Sequence, residues 1–193
     1  MERMKVIELM RSVHEFPRIS SNASFMEAVE MLEMADEHFK SGKAPERIVL
    51  VYDGKGKIVG KLSPIDVVKA LEPNYAFIDT IKFGTYARFV QASLESMKEQ
   101  YRIWHKPLGE LWKKAHNIKI IDFIKMPDLE QMLDVNDSMD IAFHLFVMFR
   151  QGSLFVRDRR EIVALIRFSD VYKKIRESMR ATPEKCCENA AVV

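Results

Sequence analysis

The sequence is poor in cysteine, glycine and proline, and it contains no long apolar run. Its two cysteines, Cys186 and Cys187, are adjacent. Neighbouring cysteines close a disulfide only with strain and no second pair exists, so a disulfide scaffold is excluded and a reducing, cytoplasmic setting is expected. Seven glycines and seven prolines in 193 residues are too few for a collagen-like or extensively disordered chain. No stretch approaches the roughly 18 apolar residues of a membrane-crossing helix. The opening MERMKVIELMRSVHEF carries charge throughout, which argues against a signal peptide. Nor does one sign of charge dominate: 30 basic and 28 acidic residues are interleaved and leave a net +2. A nucleic-acid reader needs a basic stripe or face, and none is present, so neither nucleic acid nor membrane is expected as a partner.

What is present is the composition of a soluble globular protein, with a repeat inside it. The stretch GKIVGKLSPIDVVKAL, residues 56–71, has an echo in REIVALIRFSDVYKKI, residues 160–175. Ile58-Val59 falls on Ile162-Val163, Leu62 on Ile166, Asp66 on Asp170, Val67 on Val171 and Lys69 on Lys173. Upstream, Val51-Tyr52-Asp53 corresponds to Val156-Arg157-Asp158, and SFMEAVEML from Ser24 resembles SMDIAFHLF from Ser138. Each copy reads as an extended lead-in, a helix, a strand, a tight turn, a strand and a closing helix. In the first copy the helix is expected over 25–38, the strands over 48–52 and 57–62, and the closing helix over 64–71. In the second they are expected over 139–149, 153–157, 162–166 and 169–179. Asp53-Gly54-Lys55-Gly56 is a hairpin turn signal. It lacks the G-K-[ST] of a phosphate loop. Short apolar strands must be covered by helices, which implies α+β layers. A single copy of this size would be marginally stable, and two packed together make a workable core.

Two copies of β-α-β-β-α, each closing on a pattern like Gly60-Lys61-Leu62-Ser63-Pro64-Ile65-Asp66, resemble a tandem pair of cystathionine-β-synthase (CBS) domains, a Bateman module. Met10, Pro17, Ile19, Glu27-Ala28, Val51, Asp53, Gly60, Ser63 and Asp66 match the family pattern in the first copy. Met126-Pro127, Val156, Asp158 and Asp170 match in the second, which departs at Ala164, where the family prefers Gly, and at Arg167, where it prefers Thr or Ser. The resemblance implies two repeats packed as a pseudo-two-fold pair, and an adenine nucleotide (AMP, ADP or ATP) bound in clefts between them. It implies that the Ser63 hydroxyl and its helix N-terminus face phosphate, while Asp66, and Asp170 in the second copy, accept from ribose hydroxyls. It also implies apolar contacts to the base from around Ile19 and Ser20 and from strand residues near Val49 or Val51. The family's habit of pairing modules implies a homodimer that regulates a partner protein, here an unidentified one.

Elementary chemistry leaves a rival for the same atoms. Ser63 is a good N-cap, Pro64 the favoured first helical residue, and Asp66 the acid of a capping-box-like arrangement worth about 1 kcal/mol without any ligand. In the second copy Arg167 opposes the helix dipole. Asp170 could offset it, Ser169 could shift the cap, or Arg167 could pair with a bound phosphate. A blocked second site is the other reading, and one nucleotide site per chain, in the first copy, is the expectation. A dimeric interaction or scaffold protein with empty clefts stands as the alternative function.

Elsewhere the chemistry is sparse. His14, His38, His105, His116 and His144 show no metal-ligand spacing, so no metal is expected. No serine or cysteine has the context of a nucleophile, so an enzyme is not expected. Methionines such as Met31, Met34, Met132, Met139 and Met148 read as adaptable core filler. The organisation expected is a first repeat over 1–71, a helical insertion over 72–117, a second repeat over 118–180 and a flexible tail over 181–193. Within the insertion, Phe83, Tyr86, Val90, Leu94, Met97, Tyr101, Trp104 and Leu108 recur at three and four, the apolar stripe of one helix. Pro107 ends or kinks it, and a shorter helix over 108–115 carries Leu111 and Trp112. Residues 83–112 either pack on their own chain or extend a subunit interface.

Overall fold

A computed structural model describes residues 4–74, 99, 102 and 104–181. It divides into two compact units, His14–Met126 and Met1–Val13 together with Pro127–Val193. Most of the helix expected from Phe83 toward Pro107, the Cys186-Cys187 pair and the tail from 182 onward lie outside the described residues; at its described end Arg102 and Trp104 have left-handed backbone, φ 52° and 56°, so the helix does not continue through them.

The His14–Met126 unit carries a three-stranded mixed sheet ordered β2-β3-β4, formed by β2 (Arg18–Ser20), β3 (Val49–Tyr52) and β4 (Ile58–Leu62). β2 runs parallel to β3, and β3 antiparallel to β4. The hairpin between β3 and β4 turns where Asp-Gly predicts it. Asp53 Oδ1 accepts from the Lys55 and Lys57 N–H groups at 2.9 and 2.8 Å, and Gly56 takes the φ of 77° that an L side chain rarely adopts. Helix α1 (Phe25–Lys40) begins at Ser24, whose Oγ accepts from the Glu27 N–H at 3.3 Å while Glu27 Oε2 accepts from the Ser24 N–H at 2.7 Å, a capping box. Its Ala28, Leu32 and Ala35 recur at four and three and are buried against Val49, Val51 and Leu62. Helix α2 (Pro64–Leu71) follows β4, then α3 (Leu108–Ala115) and a single turn, α4 (Ile120–Phe123).

The other unit has a four-stranded sheet ordered β1-β7-β6-β5, from β1 (Arg11–Ser12), β5 (Met132–Asp134), β6 (Ser153–Asp158) and β7 (Glu161–Arg167). Helices α5 (Met139–Phe149) and α6 (Phe168–Ala181) complete the same strand and helix order as the first repeat. Its core is built from Met139, Ala142 and Phe146 of α5 against Leu154, Val156 and Ile166. The helices and strands stand within a few residues of their expected ranges, and α2, α3 and α5 coincide with them. Not every methionine is core filler: Met139 is buried, whereas Met34 and Met148 are exposed because they fall on the outer sides of α1 and α5.

The units cut the chain differently from boundaries drawn at 71 and 118. β1 lies before the first repeat in sequence yet pairs with β7 of the second, Arg11 opposite Leu165 and Ser12 opposite Ala164. Conversely, Ile120 and Ile124, which precede the second repeat, are buried in the core of the first. A second echo, KVIEL at 5–9 and KIIDF at 119–123, accounts for both docking segments. The Lys5 N–H donates to Glu8 Oε1 at 2.8 Å, and the Lys119 N–H to Asp122 Oδ2 at 3.0 Å. Val6 and Ile120 are each fully buried. The carbonyl preceding each segment then receives the first helical N–H of a repeat: Met139 N–H to Met4 O and Phe25 N–H to Ile118 O, both at 3.0 Å.

Gly60 sits where the second segment presses closest. A Cβ there would stand 2.9 Å from Ile124 Cδ1 and 3.2 Å from the Lys125 carbonyl oxygen. The isoleucine tip can yield and the backbone carbonyl cannot, so Gly60→Ala is expected to cost about 1–2 kcal/mol in a urea titration. A variant as stable as the parent would show that this approach is looser than described.

Candidate functional site

Both candidate junctions occur where a strand hands directly to a helix, a place where backbone N–H groups are free and the helix dipole favours negative charge. At the first, Ser63 holds extended backbone (φ −131°, ψ 165°), Pro64 opens α2, and Asp66 turns back on Ser63. Asp66 Oδ2 accepts from the Ser63 N–H at 2.8 Å and from the Ser63 hydroxyl at 2.6 Å. The cap that the tetrapeptide predicts is therefore formed. Both bonds use Oδ2, and an ionised carboxylate offers about four acceptor positions, so the cap leaves Oδ1 capacity for a donor such as a sugar hydroxyl. Two residues before Ser63, Lys61 stands opposite Leu50 in the β3–β4 ladder. Burial lowers its ammonium below the ordinary lysine range, while the carboxylates of Glu46 and Asp66 pull it back up. A cation is thus held within electrostatic reach of Asp66, and it was not foreseen, because a lysine at an apolar strand position reads as surface.

The residues expected near a base divide by burial. Ile19 and Val51 are register partners in β2 and β3, and Val51 is opposite Gly60 in β4. Both are buried in the core of that unit. Ser20 is exposed, and its Oγ accepts from the Asn22 N–H at 3.2 Å. Beside them, the Arg18 guanidinium lies 5.5 Å from the centre of the Tyr52 ring.

The second junction is arranged differently. Arg167 ends β7 and α6 begins at the next residue, so the arginine stands at the cap position itself. It does not face solvent. Its Nε donates to Asp170 Oδ2 at 2.7 Å and its Nη2 to Oδ1 at 2.5 Å, a two-point fork. Arg11 of β1 adds a bond from Nε to Oδ2 at 3.3 Å. Burial, the largest influence on Asp170, raises its carboxyl, but the bonds and charges of Arg167 and Arg11 outweigh it and hold the group below the ordinary carboxylate range. Of the open alternatives for Arg167, the structure shows the internal pair. Arg11 was missed by sequence reasoning because it lies far from Asp170 in the chain, two residues beyond the KVIEL echo.

The insertion's shorter helix packs on its own chain. Leu111 and Ala115 of α3 are buried, and Trp112 meets Phe25 edge to face at 5.9 Å and 88°. Glu72, only 3% exposed, accepts from the Trp104 N–H at 2.7 Å through Oε2 and from the Asn74 N–H at 3.3 Å through Oε1, which ties the two ends of the insertion together. Among the described residues no cluster of three or more His, Cys, Asp or Glu side chains could hold a metal ion, and no helix is long and apolar enough to cross a membrane.

No protein-family model matches the sequence, and no curated protein matches it. Solved structures do resemble the fold. A CBS domain-containing protein of unknown function from Bacillus anthracis is 12% identical at a TM-score of 0.58, over 91% of this chain and 95% of its own. CBSX2, solved in complex with AMP, is 13% identical at a TM-score of 0.56, over 91% and 98%. The cytosolic domain of the Mg2+ channel MgtE, solved in complex with ATP, is 13% identical at a TM-score of 0.53, over 88% of this chain and 48% of that one. With two mixed sheets, the repeated strand and helix order and these neighbours, the chain has the fold of the tandem CBS-domain proteins.

Proposed function

We propose that this chain is a regulatory CBS pair that binds one adenine nucleotide, AMP, ADP or ATP, at the Ser63–Asp66 junction of its first repeat. One observation supports placing it there. Of the two equivalent junctions, the first keeps a serine hydroxyl, a helix N-terminus and an acid bonded to Ser63 through a single oxygen. In the second the acid is clasped by Arg167 and Arg11. That neighbours of the same fold were solved with AMP and with ATP supports the ligand class. The module acts without catalysis, in the cytoplasm and as a homodimer, and passes its ligand state to a separate partner protein.

Thermal melting with AMP, ADP and ATP tests this reading. A nucleotide at 100 times its Kd adds about 2.7 kcal/mol, which for a chain of this size is a rise of roughly 5–10 °C. Asp66→Ala is expected to abolish the rise, and calorimetry is expected to count one nucleotide per chain. Flat curves with all three nucleotides would sink the proposal. They would favour the second reading, a dimeric interaction protein without ligand, which draws on the fact that Asp66 already completes its cap. In that case Asp66→Ala costs no more than about 1 kcal/mol, the worth of a cap.

A further inference from the structure

The His14–Met126 unit contains a cavity of about 280 Å³, open to solvent, to which neither Ser63 nor Asp66 contributes. It lies between α1, the segment leading into β2 and the loop that follows α1. Its lining is two-sided. Phe16 and Ala44 are buried and Met31 half-buried, which makes an apolar floor, while Met34 is exposed at the mouth. Arg18 and Lys43 are exposed and place two fixed positive charges at the rim, against one acid, Glu15, among the described lining residues. His14 and His38 also line it.

The walls are already formed. Arg18 is held from two sides, over the Tyr52 ring and by a 2.6 Å contact from its Nη2 to His14 Nδ1. A guanidinium can only donate, which assigns Nδ1 of His14 as acceptor. The loop beyond α1 closes on the helix end: Lys43 N–H donates to His38 O at 2.8 Å and Gly42 N–H to Phe39 O at 3.1 Å, with Gly42 at φ 74°. This is a Schellman cap, which needs glycine at the left-handed position and fixes where Lys43 and Ala44 stand. A cation ordered beforehand loses little freedom on binding.

We propose that this cavity binds a small amphipathic organic anion, a carboxylate or sulfonate on an apolar body, with the acid at Arg18 and Lys43 and the body over Phe16 and Met31. A purely apolar ligand would make no use of the positive rim, and a small inorganic anion would leave the floor uncovered. The test is a calorimetric or NMR titration of the full chain with decanoate, below its micelle concentration, and with decanol, its neutral counterpart. Decanoate is expected to bind about tenfold more tightly than decanol, the effect of one charge-assisted contact. Lys43→Gln, on an exposed loop, is expected to remove most of that difference. Met34→Trp, which fills the mouth from an exposed helix position, is expected to abolish both. Nucleotide-dependent melting should be unchanged in both variants, which separates this site from the Ser63–Asp66 reading. Equal affinity for decanoate and decanol, no binding of decanoate, or wild-type decanoate binding in both variants would overturn the proposal.

Discussion

Phe25→Ala is expected to cost about 3–5 kcal/mol, the usual range for removing a buried aromatic side chain. Phe25 is fully buried at the first position of α1, with Trp112 of α3 at 5.9 Å and Phe123 of α4 at 6.1 Å, both edge to face. One ring therefore joins the first repeat, the insertion and the segment leading to the second repeat. The loss should appear in urea unfolding at pH 7, with the emission of the half-exposed Trp112 shifting further to the red, read in a Trp104→Phe background because the chain has two tryptophans. Phe25→Leu restores part of the volume but not the edge-to-face geometry, which is worth about 0.5–1.5 kcal/mol per aromatic pair. It should fall between the parent and the alanine variant. A loss below about 1 kcal/mol, with fluorescence unmoved, would mean that α3 does not depend on this ring.

Asp170→Ala is expected to be the second most damaging change, at about 2 kcal/mol at pH 7. Removing one member of a fully buried ion pair costs roughly 3–5 kcal/mol. The Arg167 and Asp170 side chains are 11% and 15% exposed and Arg11 is 43% exposed, so solvent screens part of that. The pH dependence follows from the lowered carboxyl of Asp170. A group whose folded value lies below its unfolded one contributes stability above the unfolded value, about 3.9 for aspartate, and loses it as pH falls through the folded value. The gap between parent and variant should therefore be full at pH 5–7 and narrow below about pH 3.9. Urea titrations at pH 7 and pH 3 check this. A gap of the same size at both would show that the arginine clasp is not its source.

The repeat, its strands and its helices were legible because each rests on local patterns: short apolar strands around Asp-Gly, a Ser-Pro helix start, and the echo of SFMEAVEML in SMDIAFHLF. The Ser63–Asp66 cap was legible for the same reason, since its partners are three residues apart. The fate of Arg167 was not. An arginine at a helix start has several partners available to it, and a chain-distant one, Arg11, helped to select Asp170. Nor could periodicity show that residues 5–13 belong with the second repeat, with Arg11 and Ser12 entering its sheet. KVIEL and KIIDF carry the same capping acid and the same buried aliphatic, so each is a segment that docks on a repeat without specifying which one.

By itself, then, the sequence determines that this protein is a doubled α+β unit with one well-formed strand-to-helix junction and one altered by Ala164 and Arg167. The tertiary structure decides what those departures do. Antiparallel pairing of β1 with β7 sets Ser12 opposite Ala164, and it brings Arg11 to the carboxylate that Arg167 already grips. The physical reason is range. Caps, turns and helix faces are settled by neighbours within four residues, whereas a charge at a helix start is settled by whichever distant group folding places beside it.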